Sequence, residues 1–152
     1  MSNELNGIPV EILLVEDNTA DVRFTQEVLS ESRISNKLNV VGDGEDALNY
    51  LRRRGKYAQV ALPDIILLDL KLPKKSGQDV LAEIKRDENL RHIPVAVLTT
   101  SQAEEDIVKS YNLDADCYMK KPMKGEDFIE LVRLFDQFRW LIVKTPSAGP
   151  EK

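Results

Sequence analysis

Cysteine, histidine and long apolar segments are all scarce in this sequence. The 152 residues include one Cys and one His. A single cysteine cannot close an internal disulfide, which fits a reducing, cytoplasmic setting. A single histidine excludes zinc sites with several histidine ligands and leaves little room for Ser/His/Asp hydrolysis. No apolar run approaches the roughly 20 residues that cross a bilayer, and the polar start, MSNE, is unlike a signal peptide. We therefore expect no membrane partner.

Positive charge is also in deficit. Lys and Arg total 21 against 26 Asp and Glu, which gives a formal net charge of −5. A chain with this balance has no general attraction for a phosphate backbone, so we expect no nucleic-acid partner. The remaining composition is ordinary for a globular protein, at 42% hydrophobic and 31% charged, and the length is typical of one domain.

Five short apolar runs alternate with amphipathic stretches. The runs cover residues 11–15 (EILLV), 37–41 (KLNVV), 65–70 (IILLDL), 95–98 (VAVL) and 117–120 (CYMK). Strands separated by helices of this length predict a parallel sheet with right-handed crossovers. Continuous rather than alternating hydrophobicity is typical of strands that are buried on both faces. The sequence thus predicts an α/β fold in which helices cover both faces of a five-stranded parallel sheet.

Three helices have a capping residue followed by an acid three positions later, which is the spacing of a capping box. The pairs are Asn18 with Asp21, Ser76 with Asp79, and Ser101 with Glu104.

The remaining helices and the domain limits follow from the same pattern. The second helix is predicted from about Glu45 to Arg54, with Gly55 as its stop signal, and further helices are predicted at 103–111 and from about Gly125. We expect one folded domain over residues 9–143. Residues 1–8 would form an N-terminal tail and residues 144–152 a flexible C-terminal tail.

Apolar residues continue along the last helix past the point where the sheet can cover them. Phe128, Leu131, Val132 and Phe135 follow the spacing of a buried helix face. The four consecutive residues 140–143 (WLIV) cannot all face one sheet. We therefore predict a homodimer to which residues 135–143 contribute. The alternative is packing of this segment on residues 57–62 of the same chain.

Several polar residues stand at predicted carboxyl ends of strands, where open parallel sheets bind their ligands. They are Glu16, Asp17, Asp69, Thr99 and Lys121. Close carboxylates repel each other, and Mg²⁺ relieves that repulsion. Asp69 follows an aliphatic run, and a carboxylate there can attack phosphorus to form an acyl phosphate. Lys121 and Thr99 can reach oxygens of the transferring group.

Four motifs together resemble the receiver domains of two-component response regulators. They are Val15-Glu16-Asp17, residues 67–73 (LLDLKLP) with Gly77, residues 98–101 (LTTS), and Lys121-Pro122. The separations also agree, with 30 residues from Asp69 to Thr99 and 22 from Thr99 to Lys121. The resemblance covers about residues 9–140. Segment 55–63, with LPKKSG and LTTS, looks most like the stand-alone receivers that partner phytochrome-type histidine kinases.

The resemblance implies a flavodoxin-like receiver fold with strand order 2-1-3-4-5 and a magnesium site. Asp69 would be the phosphoacceptor. Asp17 and Asp69 would bind Mg²⁺ directly, together with the backbone carbonyl of Lys71. Glu16, where many receivers carry Asp, would hold a water on the metal.

It also implies a set of residues that respond to the phosphoryl group. Thr99 would move toward that group, and Tyr118 would rotate inward behind it. Lys121 would pair with a phosphoryl oxygen, with a cis bond to Pro122. Thr100 is larger than the residue that often follows this threonine, which would narrow access to the site.

The resemblance implies a response regulator rather than an enzyme acting on other substrates. Asp69 would take a phosphoryl group from a sensor histidine kinase, and the chain would signal by phosphorylation-dependent binding or by relay. The alternative is a magnesium-dependent aspartyl phosphatase of the haloacid-dehalogenase type. That class needs a second Asp two residues after the nucleophile, where this chain has Lys71.

Overall fold

A parallel sheet with helices on both faces forms the framework of the protein. The computed structural model describes residues 9–100, 103, 106 and 115–134. The strands are β1 (Val10–Val15), β2 (Asn36–Val41), β3 (Ile65–Asp69), β4 (Val95–Thr99) and β5 (Cys117–Lys120). All neighbouring strands are parallel, in the order β2-β1-β3-β4-β5. The predicted fold class and strand order are therefore confirmed.

The strand ends differ by a residue from the sequence prediction in a way that matters for the site. β3 ends at Asp69 rather than Leu70, and β4 extends to Thr99. The register pairs Asp69 with Leu98 and Thr99 with Lys120. Both polar residues are thus held by the ladder itself and not by a loop.

Alternate residues of each central strand enter opposite core clusters, as the two-residue period of a strand requires. In the first core cluster, Leu13 packs with residues of helices α2 (Gly44–Leu51) and α3 (Gly77–Arg86). Ile12 packs with residues of helices α1 (Thr19–Ser30) and α4 (Gly125–Leu134). Phe128 of α4 is fully buried, and burial of such a side chain contributes roughly 1.5–3 kcal/mol. The central strands are therefore fixed from both sides.

The helix starts agree with the capping pattern where the structure describes them. Asn18 accepts a hydrogen bond from the N–H of Asp21 at 2.9 Å, and Ser76 accepts one from the N–H of Asp79 at 3.1 Å. Asp43 caps α2 in the same way, accepting from Asp46 at 2.8 Å. Each cap satisfies a backbone donor that the helix leaves without a partner.

The predicted end of the second helix at Arg54 was wrong, since α2 ends at Leu51. Arg53 has a φ of 54°, a left-handed conformation that a helix cannot continue. Arg52 is held by Glu83 and Asp87 of the neighbouring helix and its cap, at 3.3 and 3.5 Å. These tertiary ion pairs fix Arg52, the first residue after α2, against α3.

Segment 55–63 lies against the first core cluster. It begins with a short 3₁₀ helix (Gly55–Tyr57), and Tyr57, Val60 and Leu62 pack on that cluster. The rings of Tyr50 and Tyr57 are 5.1 Å apart in a tilted arrangement. The longer link into β3 is thus part of the domain's packing.

Several predictions fall outside the described residues. They concern the tails at 1–8 and 144–152, the Ser101–Glu104 cap, residues 135–143, and most of the helix predicted at 103–111, of which Ala103 and Asp106 are helical. Within the part of the chain that the structure describes, no helix has the length and apolar character of a membrane span.

Ion pairs fix the segment that follows Asp69 to the helices beside it. Lys75 pairs with Glu83 of α3, and Lys74 lies 3.6 Å from Asp43 at the start of α2. The hydrogen bond from Lys75, reinforced by Arg52, lowers the pKa of Glu83 below its ordinary value. Glu83 therefore links this segment, α3 and the end of α2.

We expect Gly77→Ala to destabilise the fold. A Cβ at this position would lie 2.4 Å from the backbone oxygen of Asp69 and 2.7 Å from the Cα of Leu70. Because packed backbone yields little, urea unfolding should show a loss of about 1–3 kcal/mol. Gly125→Ala is the matched control, since it also begins a helix but has nothing within 4 Å. An equal effect in both variants would contradict the tight contact of α3 with β3.

We expect Glu83→Gln to lose stability at neutral pH but not in acid. The folded pKa of Glu83 is depressed, so its ion pairs contribute above the ordinary value of 4.5 and are lost as the pH falls through the folded pKa. Since the groups are partly exposed, the loss should be about 1 kcal/mol or less. Urea unfolding of both proteins from neutral pH to below 4.5 measures it. A difference independent of pH would contradict the ionic origin.

Candidate functional site

The polar residues singled out from the sequence meet at the carboxyl edge of the sheet. Glu16 and Asp17 follow β1, and Asp69 and Thr99 are the last residues of β3 and β4. Lys121 comes directly after β5, and its backbone N–H donates to the carbonyl of Thr99 at 2.8 Å. The parallel register therefore brings four separate strand ends to one place.

Three of these side chains form an acidic cluster. Carboxylate oxygens of Glu16, Asp17 and Asp69 lie within 4.8 Å of one another. Glu16 and Asp69 are only 3% and 4% exposed, whereas Asp17 is open to solvent. Burial, with a contribution from the charge of Asp69, raises the pKa of Glu16 to about 7, although Lys121 acts to lower it. A dense set of carboxylate oxygens with one open side fits a hard divalent cation.

Lys121 supplies positive charge at the cluster. Its Nζ lies 2.9 Å from Glu16 Oε1 and 3.1 Å from Asp69 Oδ1. Burial acts to lower the pKa of Lys121, but the hydrogen bonds to Glu16 and Asp21 and the nearby negative charges outweigh it and raise the pKa above its ordinary value. The ammonium therefore stays charged throughout the physiological range.

Sequence reasoning assigned Asp21 only to the cap of α1. In the structure its Oδ2 accepts a hydrogen bond from Lys121 Nζ at 3.1 Å. This contact joins residues that are 100 positions apart. The capping pattern in the sequence identifies Asp21 as an acid in the first turn of the helix. It does not identify Lys121 as the partner of the Asp21 side chain.

Thr99, Tyr118 and Lys71 are the other residues that the sequence assigned to the site. Thr99 is 1% exposed, and its hydroxyl donates to the carbonyl of Met119 at 3.5 Å, which is a long hydrogen bond. Tyr118 is partly buried against the first core cluster. Lys71 is exposed, and its position two residues after Asp69 is where the phosphatase alternative requires an acid. The peptide bond between Lys121 and Pro122 is cis, as predicted.

A doubly wound α/β sheet with acids and a lysine at its carboxyl edge, and with Lys71 two residues after Asp69, has the arrangement of a phosphoryl-accepting receiver domain. A family model described as "Response regulator receiver domain" matches residues 12–133. The chain belongs to this family, and neither the site nor this match supports the phosphatase alternative.

Known relatives are similar over most of the chain. Response regulator Rcp1 of Synechocystis sp. is 45% identical over 148 residues, covering 97% of this chain and 100% of Rcp1. The crystal structure of the phosphorylated cyanobacterial phytochrome response regulator RcpA is 46% identical, covers 86% of this chain and 94% of its own, and has a TM-score of 0.71. The crystal structure of the Mn²⁺-bound form of Rcp1 is 47% identical in sequence, and the match covers 88% of this chain and 95% of the Rcp1 chain, with a TM-score of 0.70.

Proposed function

We propose that Asp69 accepts a phosphoryl group from a phosphohistidine of a sensor histidine kinase. The observation that carries this proposal is the place of Asp69, a buried carboxylate at the end of a central strand with an ammonium 3.1 Å away. A carboxylate oxygen of Asp69 forms a bond to phosphorus as the bond between phosphorus and the donor breaks, and the donor leaves with the bonding electrons. Lys121 then faces the oxygens of the transferred group.

We further propose that Asp17 and Asp69 bind Mg²⁺, with the backbone carbonyl of Lys71 as a third protein ligand. Glu16 would hold a water on the metal. The acidic cluster supports this assignment, as does the Mn²⁺ in the similar structure of Rcp1. When bound, the dication supplies charge that offsets the repulsion between the carboxylates and the incoming phosphoryl oxygens.

Thr99 and Tyr118 are proposed to report the modification. The Thr99 hydroxyl gives up little when it leaves a 3.5 Å contact for a phosphoryl oxygen. Tyr118 follows on the neighbouring strand β5 and rotates inward behind it. The phosphoryl state would thus alter the surface around β4 and β5.

The signalling partner is proposed to be a phytochrome-type sensor histidine kinase in the cytoplasm. Similarity to Rcp1 and to the phytochrome response regulator RcpA supports this choice. The net charge of −5 argues against nucleic acid as a partner. The domain would cover residues 9–143 and act as a regulator, with chemistry confined to its own acyl phosphate. A homodimer through residues 135–143, which lie outside the described residues, would complete the assembly.

Incubation with acetyl phosphate and Mg²⁺ should add one phosphoryl group to the protein. Asp69→Asn should abolish the mass increase, because the amide cannot attack phosphorus as a carboxylate does. Asp79→Asn, an exposed acid in α3, is the matched control and should be modified at the normal rate. Intact-protein mass spectrometry measures the modification. Phosphorylation that persists in Asp69→Asn would refute the assignment.

Asp17→Asn should weaken Mg²⁺ binding by about tenfold or more, because it removes a charged ligand from the site. Isothermal titration calorimetry measures the affinity, and thermal unfolding should show that the fold is kept, since Asp17 is exposed. Asp79→Asn should bind Mg²⁺ with the same affinity as the wild-type protein. Equal affinity in Asp17→Asn would remove Asp17 from the metal site.

A further inference from the structure

The first turn of α1 departs from the reciprocal hydrogen bonds of a capping box. In that arrangement the acid at the third helical position accepts from the backbone N–H of the capping residue. Here the N–H of Asn18 donates to Glu16 Oε2 at 3.3 Å. Glu16 thus occupies the place of the helix acid, and the carboxylate of Asp21 is directed to Lys121 instead.

The Lys121 ammonium is enclosed by three carboxylates. Oxygens of Glu16, Asp21 and Asp69 lie 2.9, 3.1 and 3.1 Å from its nitrogen. An ammonium has three N–H donors, so one donor is available for each acid. Asp21 is the outermost of the three, with a side chain 44% exposed.

The surroundings leave the ammonium little other space. The pocket next to Lys121 and Asp21 measures about 10 Å³ and is lined by Phe24, Pro122 and Met123 among others. A space of this size admits at most one water. The three ion pairs are therefore the contacts that hold the ammonium in place.

Formation of an acyl phosphate changes only one of those partners. With acetyl phosphate as donor, the bond between phosphorus and the acetate oxygen breaks, a bond from phosphorus to an Asp69 oxygen forms, and acetate leaves. The negative charge of the Asp69 carboxylate is thereby replaced by the charge on the phosphoryl oxygens. The contacts of Lys121 with Glu16 and Asp21 need not change.

We propose that Asp21 is a positioning residue for phosphoryl transfer to Asp69. Together with Glu16 it holds the ammonium so that the third N–H of Lys121 faces the reacting group. This inference rests on the proposed function of Asp69. Asp21 itself touches neither the phosphoryl group nor the metal; it acts through Lys121.

The test compares rates of acyl phosphate formation from acetyl phosphate at saturating Mg²⁺. Asp21→Ala removes the acceptor and should slow formation about 5- to 10-fold, because the ammonium loses its orientation. Asp21→Asn keeps an oxygen that accepts a hydrogen bond from Lys121, so its rate of acyl phosphate formation should stay within about twofold of the wild-type rate. Asp79→Ala is the matched control, since Asp79 also holds the third position of a capped helix but makes no ion pair among the described residues. It should leave the rate unchanged.

An unchanged or faster rate in Asp21→Ala would overturn the positioning role. An equal loss in Asp21→Asn would assign the effect to charge, and an equal loss in Asp79→Ala would assign it to the helix start; either result also overturns the proposal. Failure of the wild-type protein to be phosphorylated would instead refute the proposed function. Far-ultraviolet circular dichroism of each variant verifies that the exposed substitutions leave the fold intact.

Discussion

Repulsion between carboxylates at the edge of the sheet is the constraint on which the rest of the structure depends. Two of the three acids are almost fully buried, and carboxylate oxygens of all three lie within 4.8 Å of one another. Buried charges of one sign are costly unless a cation accompanies them. Lys121 supplies one positive charge, and the remaining negative charge favours a divalent cation and resists a phosphoryl donor that arrives without one. The need for metal thus follows from the charge that the fold places there.

The fold withstands this cost because the site is built on rigid elements. The three central strands are buried on both faces, and a one-residue slip of the register that aligns Asp69 with Leu98 would move every side chain of the strand into the opposite core cluster. Gly77 lets the start of α3 lie against the backbone of Asp69. The Lys75–Glu83 ion pair holds the following segment. Stability gained in the core supports an edge that would be unstable alone.

The sheet and most of the site could be predicted because both depend on local patterns. Continuous aliphatic runs marked the strands, and the polar residue after each run marked a ligand position. The end of α2 could not be predicted, because nothing local favours a left-handed Arg53, and the ion pairs of the neighbouring Arg52 with Glu83 and Asp87 form only in the folded chain. The Asp21–Lys121 contact could not be predicted for a related reason. A capping pattern fixes where the acid sits, while its side-chain partner is decided by elements that meet only in the folded chain.

The contrast between Lys121 and Thr99 indicates how the proposed function would convert chemistry into a change of surface. Lys121 has three acidic partners within 3.1 Å, and two of them are untouched when Asp69 is modified. Under the proposed function, its position would therefore change little between the two states. The Thr99 hydroxyl donates to the carbonyl of Met119, next to Tyr118, at 3.5 Å. A phosphoryl oxygen can compete with that contact at small cost, since long hydrogen bonds are weak. Under the proposed function, a displacement would begin at β4 and pass to β5, with the β1 side of the site as the fixed support.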